Sequence, residues 1–421
     1  KALGKPRHSK LGGRGDINSV TGEQLMRIPV VSKNGKPLMP TTPSRARRWL
    51  KEGKAIPGWS RLGVFYVQLT VEPSNTKTQP IVIGLDPGKL YSGIGVQSSK
   101  FTLLMLHLVL PFKTVKDRME QRAMMRRGRR GRRINRKLSY SQRAHRQVRF
   151  DNRKQKKVPP SICANKTFEL RALREIVKLY PVQDIIVERV MARGDKGFSP
   201  VMVGQLWLVG QIEEQFGIKP STIQGWETSN LRKQLGLPKD KQDKSRQVPE
   251  THAVDGITIA ASHWVKYGIT SANSMGSKGQ ISITPSQFVI VKRPPVSRRQ
   301  LHLMVPAKGG VRRRYGGTVT RHGFRKGDYV EATQGAKTYR GWVSGDTDKQ
   351  VSVSDASWKR LGQFTVKKVR LIQRSTGLIV LSTKDFVKPS PALESRFDTA
   401  YPPQVASRSP GVSRGKYDEV L

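Results

Sequence analysis

The chain has 421 residues, 36% of them apolar, and carries 78 Lys and Arg against 30 Asp and Glu, a formal net charge of +48. That is enough apolar material for two or three packed domains and far more positive charge than solubility requires, so a polyanion is the expected partner. The single cysteine, Cys163, excludes an internal disulfide and a cysteine-rich zinc module, and no apolar run approaches the roughly 20 residues of a membrane span, which fits a reducing cytoplasm and no membrane partner.

Composition alone favours a ribosomal- or chromatin-type binder over a nucleic-acid enzyme, so motifs have to decide. Residues 1–25 are basic, Gly-rich and without apolar periodicity, and read as a leader. Residues 26–75 read as a small module. In it Val30-Val31 is a short strand, Asn34-Gly35 a tight turn, Ser44 the cap of a helix over Arg45–Glu52 that Gly53 stops, and Gly63–Val71 a further strand.

Residues 76–112 change character. Ile81-Val82-Ile83-Gly84-Leu85-Asp86 is a buried-strand run that ends in a carboxylate before Pro87-Gly88, and Gly93–Gln97 and Phe101–Leu110 are two more interior strands. A carboxylate at the exit of a buried strand needs a partner, which makes Asp86 a candidate metal ligand, although Asp-Pro-Gly is also an ordinary turn sequence.

Residues 113–158 form a basic arm, with nineteen Lys or Arg against three acidic residues between Lys113 and Lys157. A helix with arginines on every face repels itself until phosphates neutralise it, and the arginine fork suits phosphate oxygens. Arg122, Arg126, Arg127, Arg129, Arg130, Arg132, Arg133, Arg136 and Lys137 are the expected RNA contacts. Apolar residues then return at helical spacing from Phe168 to Tyr180, ended by Pro181, and Asp184-Ile185-Ile186-Val187-Glu188 is a second buried strand ending in a carboxylate.

A helix over 200–216, a strand over Thr222–Trp226, a charged loop over Lys239–Pro249 and a helix over Thr251–Trp264 follow, the last with His252 and Asp255 on one face. Residues 268–390 read as short strands forming one or two small barrel-like modules, and residues 391–421 as a Pro/Ser-rich tail.

Asp86, Glu188 and Asp255 thus share one logic. Strand ends can gather them, divalent cations relieve their repulsion, and two such ions can hydrolyse a phosphodiester while His252 orients or deprotonates the water or completes a metal shell. Oxygen ligands favour magnesium, with manganese able to substitute. Taken singly, each residue has a structural explanation: Glu188 as an ion-pair partner of nearby arginines, His252 as a helix cap.

Ile83-Gly84-Leu85-Asp86-Pro87-Gly88, Ile186-Val187-Glu188 and His252-Ala253-Val254-Asp255 resemble the three pieces of a RuvC-type nuclease domain interrupted by an arginine-rich bridge helix. Pro37-Leu38-Met39-Pro40 resembles the signature of the PLMP domain of the IscB and IsrB proteins, transposon-encoded relatives of the CRISPR effector nucleases. Gly225-Trp226-Glu227-Thr228 and Leu235-Gly236-Leu237-Pro238-Lys239 are also similar, while the long Lys239–Thr251 loop departs from the pattern.

The resemblance implies a ribonuclease H-like α/β fold whose mixed sheet is flanked by helices. RuvC parts would lie at 76–112, 159–217 and 218–267, and a region reading a target-adjacent motif at 268–390. IscB carries an HNH nuclease between the second and third pieces, but residues 191–251 hold neither His nor Cys. The resemblance is therefore to IsrB. It implies a monomeric protein in a ribonucleoprotein with an ωRNA guide, which nicks the non-target strand of double-stranded DNA. Two other readings remain open at this point: a non-catalytic RNA-binding scaffold, and a RuvC-like nuclease acting on branched DNA without a guide.

Overall fold

The computed structural model describes residues 26–131, 135, 137–142, 158–191, 200–269, 275–295 and 319–387. The N-terminal module is built from β1 (Ile28–Val31), β2 (Pro37–Thr41), α1 (Pro43–Lys51), β3 (Ala55–Trp59) and β4 (Phe65–Leu69). Its four strands lie in the order β2-β1-β4-β3, and Ile28, Val30, Ala46, Ala55, Val67 and Leu69 form its core. Gly35 takes a φ of 78° in the turn between β1 and β2, which glycine adopts without strain.

The cap of α1 is Thr42, not Ser44: its hydroxyl accepts from the Arg45 amide at 3.3 Å. Pro43 explains the shift, because its fixed φ and missing N–H suit the first helical position and draw the helix two residues upstream.

The central sheet begins with β5 (Ile81–Asp86), β6 (Tyr91–Ser98) and β7 (Thr102–Val109), followed by α2 (Phe112–Gly131) and α3 (Pro160–Val177). It continues with β8 (Asp184–Arg189), α4 (Pro200–Phe216), β9 (Ser221–Gln224), α5 (Gly225–Gln234) and α6 (Ala253–Ala261). Strands β7-β6-β5-β8-β9 are neighbours in that order, with β6 antiparallel to both sides and β8 and β9 parallel to β5. That order and those directions are the ribonuclease H-like arrangement, a mixed sheet flanked by helices.

One face of the sheet packs on α3 and α4 through Ile83, Leu85, Val187, Phe168, Leu173 and Leu208. The other face packs on α6 through Val82, Ile186, Ile259 and Ala260. Among the described residues no helix is long and apolar enough to cross a membrane.

Beyond the short hairpin β10 (Lys266–Ile269) and β11 (Met275–Lys278), the region 268–390 does not form separate modules alone. Strand β12 (Ser286–Lys292) pairs in parallel with β7 and extends the central sheet. Between Val319 and Gln373 lies a five-stranded antiparallel unit, β13 (Tyr329–Gln334), β14 (Lys337–Asp346), β15 (Gln350–Ser354), β16 (Arg360–Thr365) and β17 (Val369–Gln373), with its own core of Val330, Ala332, Val343, Val351, Val353 and Phe364. The chain then returns as β18 (Ile379–Val387), antiparallel to β12, so the central sheet has seven strands. Phe288–Val291 is apolar on both sides because it is covered on both faces, a pattern shared by the buried strand of a larger sheet and by a barrel. Ile281–Thr284, expected as a strand, is irregular.

Candidate active site

Strand parity decides where the carboxylates go. In β5, Ile81, Ile83 and Leu85 face α3 and α4, so the even positions Val82, Gly84 and Asp86 face α6. In β8, Ile185 and Val187 share the first face, which turns Ile186 and Glu188 to the side of α6. Because β5 and β8 are parallel neighbours, with Leu85 opposite Val187, the next residues Asp86 and Glu188 end side by side.

Helix α6 reaches the sheet closely because glycine leaves it room. A Cβ on Gly84, Gly93 or Gly95 would overlap the backbone of residues 252–260, and one on Gly256 would meet Ile94 and Gly95. That contact sets His252, at the N-cap of α6, and Asp255, in its first turn, over the strand ends.

The electrostatics are those of crowded carboxylates. Burial, and then the neighbouring Asp86, push Glu188 up to about 7, opposed by Lys239, Thr228 and Arg232. Behind Glu188, Gln205 is buried and bridges the strand end, accepting from the Val190 amide at 3.1 Å and donating to the Glu188 carbonyl at 3.4 Å. His252 Nδ1 lies 3.5 Å from Asp86 Oδ2 without a hydrogen bond, while its Nε2 lies 3.3 Å from the Lys244 carbonyl, which can only accept. In the neutral ring Nδ1 is therefore a lone pair facing a carboxylate oxygen. Asp86, Glu188 and this orphaned nitrogen together fit a cation or the proton of a bound water.

Asp255 is placed differently. It is buried at 3% exposure, its Oδ1 accepts from Arg232 at 2.7 Å, and its Oδ2 is paired with Lys239. Glu188, Thr228, Arg232, Lys239 and Asp255 line a cleft of about 350 Å³. Among the described residues, no three His, Cys, Asp or Glu side chains already form a metal shell. The donor set fits a cation at Asp86 and Glu188, while both oxygens of Asp255 are engaged by protein cations.

A second, wholly buried network supports the turn after Asp86. Glu169 Oε1 accepts from Ser92 Oγ at 2.5 Å and from Lys166 Nζ at 3.0 Å, and Ser92 Oγ accepts from the Gly88 amide at 3.1 Å. Burial pushes the Glu169 carboxyl up, and Lys166 and Ser92 pull it back.

Thr228, Arg232, Lys239, Lys166, Glu169 and Ser92 were not marked by the sequence as site residues. Thr228 and Lys239 lay in segments quoted for the resemblance, and Arg232 shares a helix face with Thr228 at four-residue spacing. Of the expected RNA contacts, Arg122 is half-buried and Arg126 and Arg127 are exposed on α2, Arg129 and Arg130 lie in its last turn, and Lys137 is exposed in a turn. Arg132, Arg133 and Arg136 lie outside the described residues.

Next to His252 stands His107, fully buried, with Tyr91 5.2 Å away between ring centres. Burial, and then the charge of His252, push its pKa down from 6.5 to about 3. The folded state therefore binds fewer protons than the unfolded state between those values. The stabilising contribution is complete above 6.5 and falls as pH drops toward 3, by about 1.4 kcal/mol per pH unit. His107→Gln is expected to flatten the loss of urea stability between pH 6.5 and 4; an unchanged slope would count against a neutral His107.

Residues 28–196 match the family model described as RRXRR protein. That pattern can be read twice in the arm, in Arg126-Arg127-Gly128-Arg129-Arg130 and again in Arg129-Arg130-Gly131-Arg132-Arg133. Among solved structures, RuvC of T. thermophilus in complex with a Holliday junction substrate aligns at 15% identity over 44% of this chain and 92% of that one, with a TM-score of 0.25. Thermus thermophilus RuvC aligns at 14% identity over the same shares, with a TM-score of 0.20. No curated protein matches the chain.

Proposed function

We propose that the protein is a metal-dependent DNA endonuclease of the RuvC type, an RNA-guided nickase similar to IsrB. The observation that carries this reading is the convergence of Asp86 and Glu188 at the ends of adjacent parallel strands, with the His252 lone pair facing Asp86. Asp86 and Glu188 would hold a hard divalent cation, magnesium or in its place manganese, and that ion would supply Lewis-acid stabilisation of the phosphate. His252 Nδ1 is placed to accept the proton of the attacking water, and its Nε2 contact to the Lys244 carbonyl fixes the ring. Arg232 and Lys239 put positive charge in the cleft where a phosphodiester would approach.

The arginine-rich sequence from Arg122 to Lys137, with Arg126 and Arg127 exposed on α2, supports an RNA partner, read as an ωRNA guide in a ribonucleoprotein with one protein chain. Guide pairing sequesters the target strand in a heteroduplex and leaves the displaced strand free for a single site. The five-stranded unit between β12 and β18 is proposed to read the target-adjacent motif.

The test is strand-specific end-labelling of a matched duplex with guide RNA and magnesium. One cut, in the displaced strand, abolished by chelation, is expected. Cutting of both strands would refute the single-site reading, and cutting of branched DNA without RNA would favour a junction nuclease.

A further inference from the structure

Thr228 and Arg232 lie on the face of α5 toward Glu188 and Asp255, and the helix ends in a reversal that brings a third group back to the same place. Gly236 takes a φ of 63°, the Gly236 amide donates to the Lys233 carbonyl at 3.1 Å, and the Leu237 amide donates to the Arg232 carbonyl at 3.0 Å. This left-handed glycine turn folds the chain back along its own helix. Leu237 is buried beneath it, and the Asp240 amide is tied to the Glu250 carbonyl at 2.9 Å. Lys239 is thus held between two anchored residues, its ammonium on Asp255 and in the field of Asp86 and Glu188.

We infer that the Lys239 ammonium is the second cation of this site, so that one divalent ion binds at Asp86 and Glu188 while lysine and Arg232 neutralise Asp255. This rests on the metal-dependent reading above and replaces the two ions that the sequence led one to expect. Charge supports it: against Asp86, Glu188 and Asp255 stand Arg232 and Lys239, with Lys241 and Lys244 lining the same cleft, so a single divalent ion already leaves the site net positive. A second would be added to a positively charged, half-buried cleft, where repulsion is strong. A tethered ammonium also competes at high effective concentration with any ion from solution.

The experiment is a Mn2+ titration of the full-length chain followed by electron paramagnetic resonance, with Glu188→Gln defining which ions belong to the site. Wild type is expected to take one Glu188-dependent ion. Lys239→Gln should take two, or hold its ion at least about tenfold more tightly, equivalent to about 1.4 kcal/mol. Lys239→Arg, which keeps the charge, should take one, and circular dichroism shows whether each variant folds. Two Glu188-dependent ions in wild type, unchanged in Lys239→Gln, would overturn the role of Lys239 and leave the metal reading standing. No Glu188-dependent ion in any variant would overturn both.

Discussion

Asp86→Asn is expected to abolish DNA cleavage, by at least about a thousandfold or about 4 kcal/mol of transition-state stabilisation, while the chain stays folded. The side chain is only partly buried and its carboxylate faces Glu188 and His252 rather than a structural ion pair, so neutralising it removes repulsion instead of a support. The same change should leave a second mark. With Asp86 uncharged, Glu188 loses one of the two influences that hold it near 7 and should titrate lower, closer to an ordinary carboxylate. Glu188→Gln should match the loss of cleavage, whereas His252→Ala should keep residual activity if its ring only orients water. Cleavage of a labelled duplex checks the first effect and carboxylate NMR the second. Wild-type cleavage by Asp86→Asn would remove the site from consideration.

Glu169→Ala is expected to give a larger loss of stability than any substitution at the cleft. Glu169 is 0% and Lys166 1% exposed, and the remaining neighbour of the ammonium is the Pro87 carbonyl at 3.5 Å. Breaking a buried pair by deleting one partner strands the other charge, at a cost of about 3–5 kcal/mol. The same deletion removes the acceptor of the Ser92 hydroxyl, which in turn receives the Gly88 amide, so the turn that carries Asp86 loosens as well. Urea unfolding followed by far-UV circular dichroism measures the first effect. Replacing Lys166 and Glu169 together with Met and Leu should recover most of the stability, and failure to do so would show that the pair is not what matters here.

The two strands that end in carboxylates were legible in the sequence because a short continuous apolar run closed by Asp86 or Glu188 is a local property. The helix bearing His252 and Asp255 was legible from its periodicity. Its close approach to the sheet was not, because Gly84, Gly93, Gly95 and Gly256 acquire meaning only when the backbones meet. Lys239 read as the start of a charged loop and Arg232 drew no reading, since nothing local says that the Gly236 turn folds one onto the partner of the other. Strand β12 could be recognised as a strand but not assigned to its sheet, because its neighbour β7 lies nearly 180 residues earlier. Thr42 and Ser44 are both good cap residues, and Pro43 between them settles the cap at Thr42.

Strands β12 and β18 are hydrogen-bonded neighbours, with Lys292 opposite Ile379, so the chain leaves the central sheet and returns to it at one spot. The five-stranded unit is thus an insertion, in sequence, between two strands that are neighbours in the sheet. Such an arrangement makes the five-stranded unit a cassette: its length and sequence can change without altering the distance its two ends must span. It can be exchanged between homologues, or replaced by a short hairpin loop, while the strands that hold Asp86 and Glu188 keep their register. A change confined to that cassette leaves untouched the strand ends that gather Asp86 and Glu188.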